Sequence, residues 1–270
     1  MSAPLRIAVC LKQILDPEIP LGAFALDDHE RAPVVVGHPA SLVMDSYAAN
    51  ALEAALRLRE AAPGSRVTAI CVGDAASDDV LRRAFALTAD AAVRVWDDAW
   101  AELDGLAVAH ALARAIEHVG PVDLVLCGRE AGDIEEAVVG PALAEELGAA
   151  CVTLGRSIEL REGAIRVERE ADGQVATVEA PLPAVVTVAS SAQNVPRWPS
   201  ARDTMLARMK TIEVCAAPDL DLDASRIAPR VRLERLILAD AGRHCELVPG
   251  EDGPARAAEL AQRLAQRVLL

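Results

Sequence analysis

The residues with the most chemical potential sit mid-chain, where the apolar run DLVLC gives way to GREAGDIEEAVVGP, Gly128 to Pro141. Strand, glycine-bounded loop and helix start stand there in one piece. Free backbone N–H groups and the dipole at such a helix start hold anions, so the segment predicts a phosphate and hence a nucleotide. No GxGxxG and no GxxxxGK(S/T) is present, so neither a dinucleotide fingerprint nor a P-loop is expected. Glu130, Asp133 and Glu135 place three carboxylates close in sequence. Capping and dipole compensation of the following helix explain them more simply than acid–base catalysis, and unless turned away they would repel a phosphate. His29, His38, His110, His118 and His244 are scattered, with no HExxH and no GxSxG nucleophile elbow, so an unaided hydrolase is poorly supported. Six cysteines, Cys10, Cys71, Cys127, Cys151, Cys215 and Cys245, form no CxxC pair and have no nearby His at metal-ligand spacing. The first three each close an apolar run and read as packed, reduced thiols.

Positioning these residues requires a scaffold, and the first half of the chain alternates short apolar runs with longer amphipathic stretches. Runs at Arg6 to Leu11, Arg66 to Val72, Ala91 to Trp96 and Val122 to Cys127 lack strict alternation and suit strands buried on both faces. Between them, Asp45 to Ala61, Ser77 to Leu87, Leu103 to His118 and Ile134 to Leu147 repeat at helical spacing, with Asp45 and Ser77 as candidate caps. The expected fold is therefore α/β: a doubly wound, mostly parallel sheet with helices on both faces. Ligands of such sheets bind beyond the carboxyl ends of the strands where the strand order reverses, which singles out the loops after residues near 11, 72 and 127.

From about residue 152 to 180 the rhythm becomes that of a small antiparallel β insertion, with Asp172-Gly173 as its turn. Ala184 to Val188 is expected to return to the main sheet. The polar, proline-punctuated stretch from Ser190 to Asp203 predicts a long loop with a binding role. Residues 1–210 thus form a nucleotide-binding α/β domain, and 211–270 a C-terminal arm ending in a helix from Gly253 to Leu270. That helix has one face of Ala257, Leu260, Ala261 and Leu264, which must pack on its own domain or on a second subunit.

Composition narrows the function. With 52% apolar residues, 25% charged and a net charge of −14, the chain is globular and has no basic footprint for nucleic acid; its only lysines are Lys12 and Lys210. The start MSAPLRIAVCLK has no secretion-signal pattern and no apolar run reaches transmembrane length, so a cytoplasmic protein without membrane insertion is expected.

In its motifs the chain resembles the electron transfer flavoprotein beta subunit family over nearly its whole length. The most specific match is VEREADGQVATVEAPLPAVVTV, Val167 to Val188, with supporting matches, in chain order, at RIAVCLKQILDP, ALEAALRLRE, VTAICVG, LRRAFALTADAAVRV, DLVLCGREAGD, NVPRWPS and TMLARMKTIEV. The resemblance implies a heterodimer: an alpha subunit carries FAD, this chain holds a structural AMP or in some members a second FAD, and electrons pass from a dehydrogenase to an acceptor protein without bond-making catalysis here. By matched positions, the nucleotide is expected to touch Cys10, Asp45, Ser46, Tyr47, Ala48, Val72, Gly128, Arg129, Glu130, Ala131, Gly132, Asp133, Ala137, Val138 and Val139. Partner recognition falls to Gln193, Asn194, Pro196, Arg197, Trp198 and Ala201.

Several positions depart from the family pattern. Asp45-Ser46-Tyr47 replaces an NPF-like turn, Glu130 a glutamine, and Val138-Val139 a pair of side-chain donors; backbone donors and Asp133 remain. Ala201 and Arg202 replace a Leu-Pro anchor, a few kcal/mol of docking contact that Trp198 could restore. The alternatives are a stand-alone adenine-nucleotide-binding protein of similar fold, which would need an ATP-holding glycine motif not found here, and a beta subunit whose pocket is empty or altered.

Overall fold

The computed structural model describes residues 4–100, 102–238 and 245–267. His244 and the last three residues of the expected terminal helix lie outside them. The chain opens with β1 (Arg6–Leu11), β2 (Gln13–Leu15), β3 (Phe24–Leu26), β4 (Pro33–Val35) and β5 (Leu42–Met44). There follow α1 (Ser46–Ala61), β6 (Arg66–Val72), α2 (Asp78–Ala86), β7 (Ala91–Val95), α3 (Gly105–Val119), β8 (Leu124–Gly128) and α4 (Val139–Glu146). Then come β9 (Ala150–Arg161), β10 (Ala164–Ala171), β11 (Gln174–Pro181), β12 (Ala184–Val188), α5 (Ala201–Ala207), β13 (Glu213–Cys215), α6 (Ala224–Ile227) and α7 (Gly253–Gln266).

Nine of these strands make one sheet in the order β11-β10-β9-β12-β8-β1-β6-β7-β13. Every pairing from β9 to β13 along that order is parallel, and only the β9–β10 and β10–β11 pairings are antiparallel, so β10 alone runs against the other strands. The doubly wound, mostly parallel fold expected from the alternating runs is what forms. Period-two alternation on a buried strand explains its two cores. On β1, Ile7, Val9 and Leu11 face the layer of α1 and α2, while Ala8 and Cys10 face α3 and α4. Fully buried Leu52 and Leu56 of α1 each contribute about 1.5–3 kcal/mol by leaving water.

Three details refine the sequence-based expectation. The antiparallel segment forms as expected and extends the main sheet: β9 pairs with β12 in parallel through Ala150, Cys151 and Val152, then with β10 in antiparallel fashion further along. Beyond Lys210 the chain first adds β13 to the sheet edge beside β7 and lays Leu220 and Ile227 into the α3 core. Finally, β2 with β5 and β3 with β4 form two small antiparallel pairs over a stretch whose apolar residues are too sparse to have predicted them. No helix among the described residues is long and apolar enough to cross a membrane.

Strand order reverses beside β1. From β1 the chain moves outward through β6 and β7, then returns to lay β8 on the other flank. The loops leaving the carboxyl ends of β1 and β8 therefore part, which opens a crevice between them.

Candidate functional site

The crevice is a cleft of about 440 Å³, lined by the ends of β1, β6 and β8, the start of α1 and α3, and the loop into α4. Of the residues matched to the nucleotide, Cys10, Asp45, Ala48, Val72, Gly128, Arg129, Glu130, Ala131, Asp133, Ala137, Val138 and Val139 line it. Ser46, Tyr47 and Gly132 do not. Ser46 faces solvent on the first turn of α1. Tyr47 lies beneath the Arg129 guanidinium, 4.9 Å from the ring centre. Gly132 acts through its backbone instead.

Asp45 organises the entrance. Its carboxylate, 1% exposed, accepts from the N–H groups of Tyr47 (2.9 Å) and Ala48 (3.0 Å) to cap α1, and its second oxygen accepts from Gly132 N–H at 2.8 Å. One side chain thus starts the helix and ties down the loop after β8. Gly128 allows the approach of these two segments, because a Cβ there would stand 2.8 Å from Tyr47 Cβ and 3.0 Å from its backbone carbon. Ser77, the other expected cap, makes no side-chain cap bond; Asp74 caps the turn before α2 instead.

The three clustered carboxylates do not cap α4. That helix begins at Val139, later than the periodicity suggested, and Val138 at its N-cap supplies no side-chain bond. Asp133 is instead engaged by Lys12 Nζ at 2.6 Å, and Glu130 pairs with Arg129. The Glu130 carboxylate in turn raises the Arg129 pKa. Glu135 points outward and does not line the cleft. The repulsion expected of three free carboxylates is thus reduced by two cations that hold two of them.

The loop before α4 carries two non-glycine residues in the left-handed region, Glu135 (φ 58°) and Ala137 (φ 55°). Such conformations cost on the order of 1–3 kcal/mol each and persist only where the surroundings enforce them. Here Ile134 and Glu135 N–H turn back onto the Ala131 carbonyl. The next five N–H groups, of Glu136, Ala137, Val138, Val139 and Gly140, find no protein acceptor among the described residues, and all five residues line the cleft. A run of unpaired donors at a helix start is the arrangement that receives a phosphate, so the residues present fit a nucleotide. Gly140 also seats α4 on the sheet, since a Cβ would stand 2.3 Å from Thr187 Cγ2.

Several lining residues were not anticipated: Leu11, Lys12, Leu103, Asp104, Gly105, Val108 and Leu112. Lys12 carried a signal, being one of two lysines and immediately following a strand. The α3 residues carried none, because only the strand order brings that helix start to the cleft. Burial disfavours the Asp104 charge, but N–H donors from Ala107, Val231 and Arg230 more than offset it and hold the carboxyl below its ordinary value. The cleft floor offers no activated nucleophile. Burial pushes the Cys127 thiol up to about 12 and raises Cys10 as well, with Cys127 and Cys71 adding to the latter.

The second set of residues lies on the far side of α1. Arg197 donates to Glu53 through Nε (2.8 Å) and a terminal nitrogen (2.9 Å), and also reaches Glu60. Asn194 is buried and donates to the carbonyls of Arg156 (3.0 Å) and Ala189 (3.2 Å). The Gln193 carbonyl accepts from Arg57, and Pro196 is half-buried. These four build the loop, whereas Trp198 is 85% exposed, with the Arg83 guanidinium 5.8 Å from its ring centre. Ala201 begins α5 at the surface. Val195, Met205 and Met209 extend the exposed apolar area.

Fold and site define a doubly wound α/β protein with an anion-ready cleft at its switch point and a braced loop beside it. Sequence comparison supplies the family: the electron transfer flavoprotein domain matches residues 34–220. The chain belongs to the electron transfer flavoprotein family. It is 34% identical over 224 residues to the electron transfer flavoprotein subunit beta of Thermoanaerobacterium thermosaccharolyticum, covering 83% of each chain. The subunit beta of Megasphaera elsdenii is 32% identical, with 82% of this chain and 79% of that one covered. The protein FixA of Azorhizobium caulinodans is 30% identical, with coverages of 81% and 78%.

Proposed function

We propose that the chain is the beta subunit of a heterodimeric electron transfer flavoprotein, supporting a FAD-bearing alpha subunit that relays electrons from a dehydrogenase to an acceptor. Relatives of similar length that bear this subunit's name support the reading. So does the absence, in the cleft, of a paired nucleophile and base. When bound, the alpha subunit's flavin supplies the redox chemistry; this chain binds, orients and shields, and makes no bonds of its own.

Within that reading the cleft holds AMP. The five free N–H groups from Glu136 to Gly140 carry this inference, because they offer a phosphate donors that side chains do not have to provide. Val72, Leu103, Val108 and Leu112 offer a base an apolar wall. A cleft of about 440 Å³ lies toward the small end of the roughly 300–1,000 Å³ range of ligand sites, which favours a mononucleotide over a second FAD.

Within the segment 211–270, the part that follows α6 acts as the arm that packs on the alpha subunit, while β13 and α6 stay with the α/β domain. Its helix α7 has no buried residue of its own, and Leu260 remains 44% exposed. Trp198, presented by the loop of residues 190–203, docks the dehydrogenase. The place of action is the cytoplasm.

Co-expression with a candidate alpha subunit tests the reading. A yellow heterodimer that releases FAD and AMP on denaturation is the expected result. A chain that stays alone beside every candidate alpha subunit would refute the heterodimer, and a heterodimer containing FAD but no adenine nucleotide on this chain would refute the cleft assignment.

A further inference from the structure

Away from the cleft, at the β13 edge of the sheet, three side chains of different chemistry converge. His118 stands on the last turn of α3, and Glu213 and Cys215 stand two apart on β13. Residues at i and i+2 of a strand share a face, and this one faces α3. His118 Nε2 is 3.1 Å from a Glu213 carboxylate oxygen, and one ligand atom from each of the three lies within 4.8 Å of the others.

We propose that His118, Glu213 and Cys215 form a binding site for a divalent cation of the zinc class. Imidazole nitrogen, carboxylate oxygen and thiolate sulfur together are the donor set of a borderline-soft ion, and they disfavour magnesium or calcium, which take oxygen ligands. In a tetrahedral shell with bonds of about 2.0–2.3 Å, ligand atoms stand roughly 3.3–3.8 Å apart. The cluster therefore needs to contract by about 1 Å. The movement falls on Glu213, whose side chain is 56% exposed, and on His118 at 38%, whereas Cys215 is fixed in the core at 2%. Exposure of two ligands also opens an entry path and leaves the fourth position to water. The negative end of the α3 dipole lies beside the site and favours a cation there. As the sulfur–metal bond forms, the thiol proton leaves to solvent. The ion would cross-link β13, a three-residue edge strand held to β7 by backbone bonds, to the helix whose other end lines the cleft. This site is independent of the electron-transfer reading.

Cobalt(II), a spectroscopic substitute for zinc, is the probe. In the full chain carrying Cys151→Ser and Cys245→Ser, which removes the two exposed thiols, titration should give one equivalent of cobalt with a thiolate-to-metal charge-transfer band that zinc abolishes. Adding Cys215→Ser should eliminate the band. His118→Gln, at an exposed position that tolerates change, should weaken binding by more than the roughly 10–100-fold that loss of an outer-shell partner costs. Zinc should also raise the unfolding midpoint of the starting protein and leave that of His118→Gln unmoved. No band in the protein that retains Cys215, or an equal zinc effect on both unfolding midpoints, would overturn the proposal.

Discussion

Replacing Asp45 should separate the two roles of its carboxylate. Asp45→Ala removes a helix cap, about 0.5–2 kcal/mol, and the bond from the charged carboxylate to Gly132 N–H, about 1.5–3 kcal/mol. Taken together, the two losses give an expected destabilisation of about 2–5 kcal/mol. Asp45→Asn keeps one oxygen for the cap but turns an amide N–H toward Gly132, so only the second contribution is lost. Urea unfolding should therefore rank wild type above Asn above Ala. Amide exchange at Gly132, Ile134 and Glu135 should quicken in both variants, and at 47–48 only in Ala. If Asn and Ala unfold at the same urea concentration, or if the loop amides exchange at the wild-type rate in both, Asp45 does not tie the loop to the helix.

Asp133→Ala frees Lys12 but loosens the loop, and nucleotide released from the purified heterodimer should fall severalfold; unchanged content would count against the cleft. Trp198→Ala should slow electron transfer from the cognate dehydrogenase about tenfold or more, as loss of an interface anchor does, with the heterodimer intact by gel filtration. A normal rate removes the tryptophan from the docking surface. The hydrogen bond from Arg197 lowers the Glu60 pKa below 4.5 in the folded chain. A depressed carboxyl pKa stabilises above the unfolded value and loses that contribution as pH falls through the folded one. Limited proteolysis within residues 190–203 should therefore accelerate as pH drops below about 4.5, less so in Glu60→Gln. An identical acid profile in the two proteins would dissociate Glu60 from loop order.

Legibility in the sequence followed the range of the interactions responsible. β1 and β6 were readable to the residue because burial on both faces leaves an unbroken apolar run, and α1 because Asp45 marks its start. The loop after β8 was recognisable from its glycines, yet its internal arrangement was not. Whether Glu130 and Asp133 repel a ligand depends on Arg129 and on Lys12, and Lys12 is 121 residues from Asp133 in the chain. The late start of α4 was hidden because Ile134, Val138 and Val139 continue a helical spacing that the left-handed Glu135 and Ala137 interrupt. β13 was missed because a three-residue edge strand has too little pattern.

The same geometry explains how the cleft keeps a row of free donors although Val138 and Val139 contribute no side-chain donor. Side-chain donors are a property of residue identity, whereas the N–H groups from Glu136 to Gly140 are oriented by backbone conformation alone. What must be preserved is the loop's shape, and α1 is the element that holds it. Its first turn carries the Asp45 link to Gly132, and its middle and end carry Asn50, Glu53, Arg57 and Glu60, which bind Ser190, Arg197 and the Gln193 carbonyl. The cleft loop and the loop of residues 190–203 are thus fastened to different parts of one sixteen-residue helix. A substitution that tilts α1, such as a bulky replacement of fully buried Ala51 or Ala55, should disturb both loops together, whereas Asp45 and Arg197 variants should each disturb only their own.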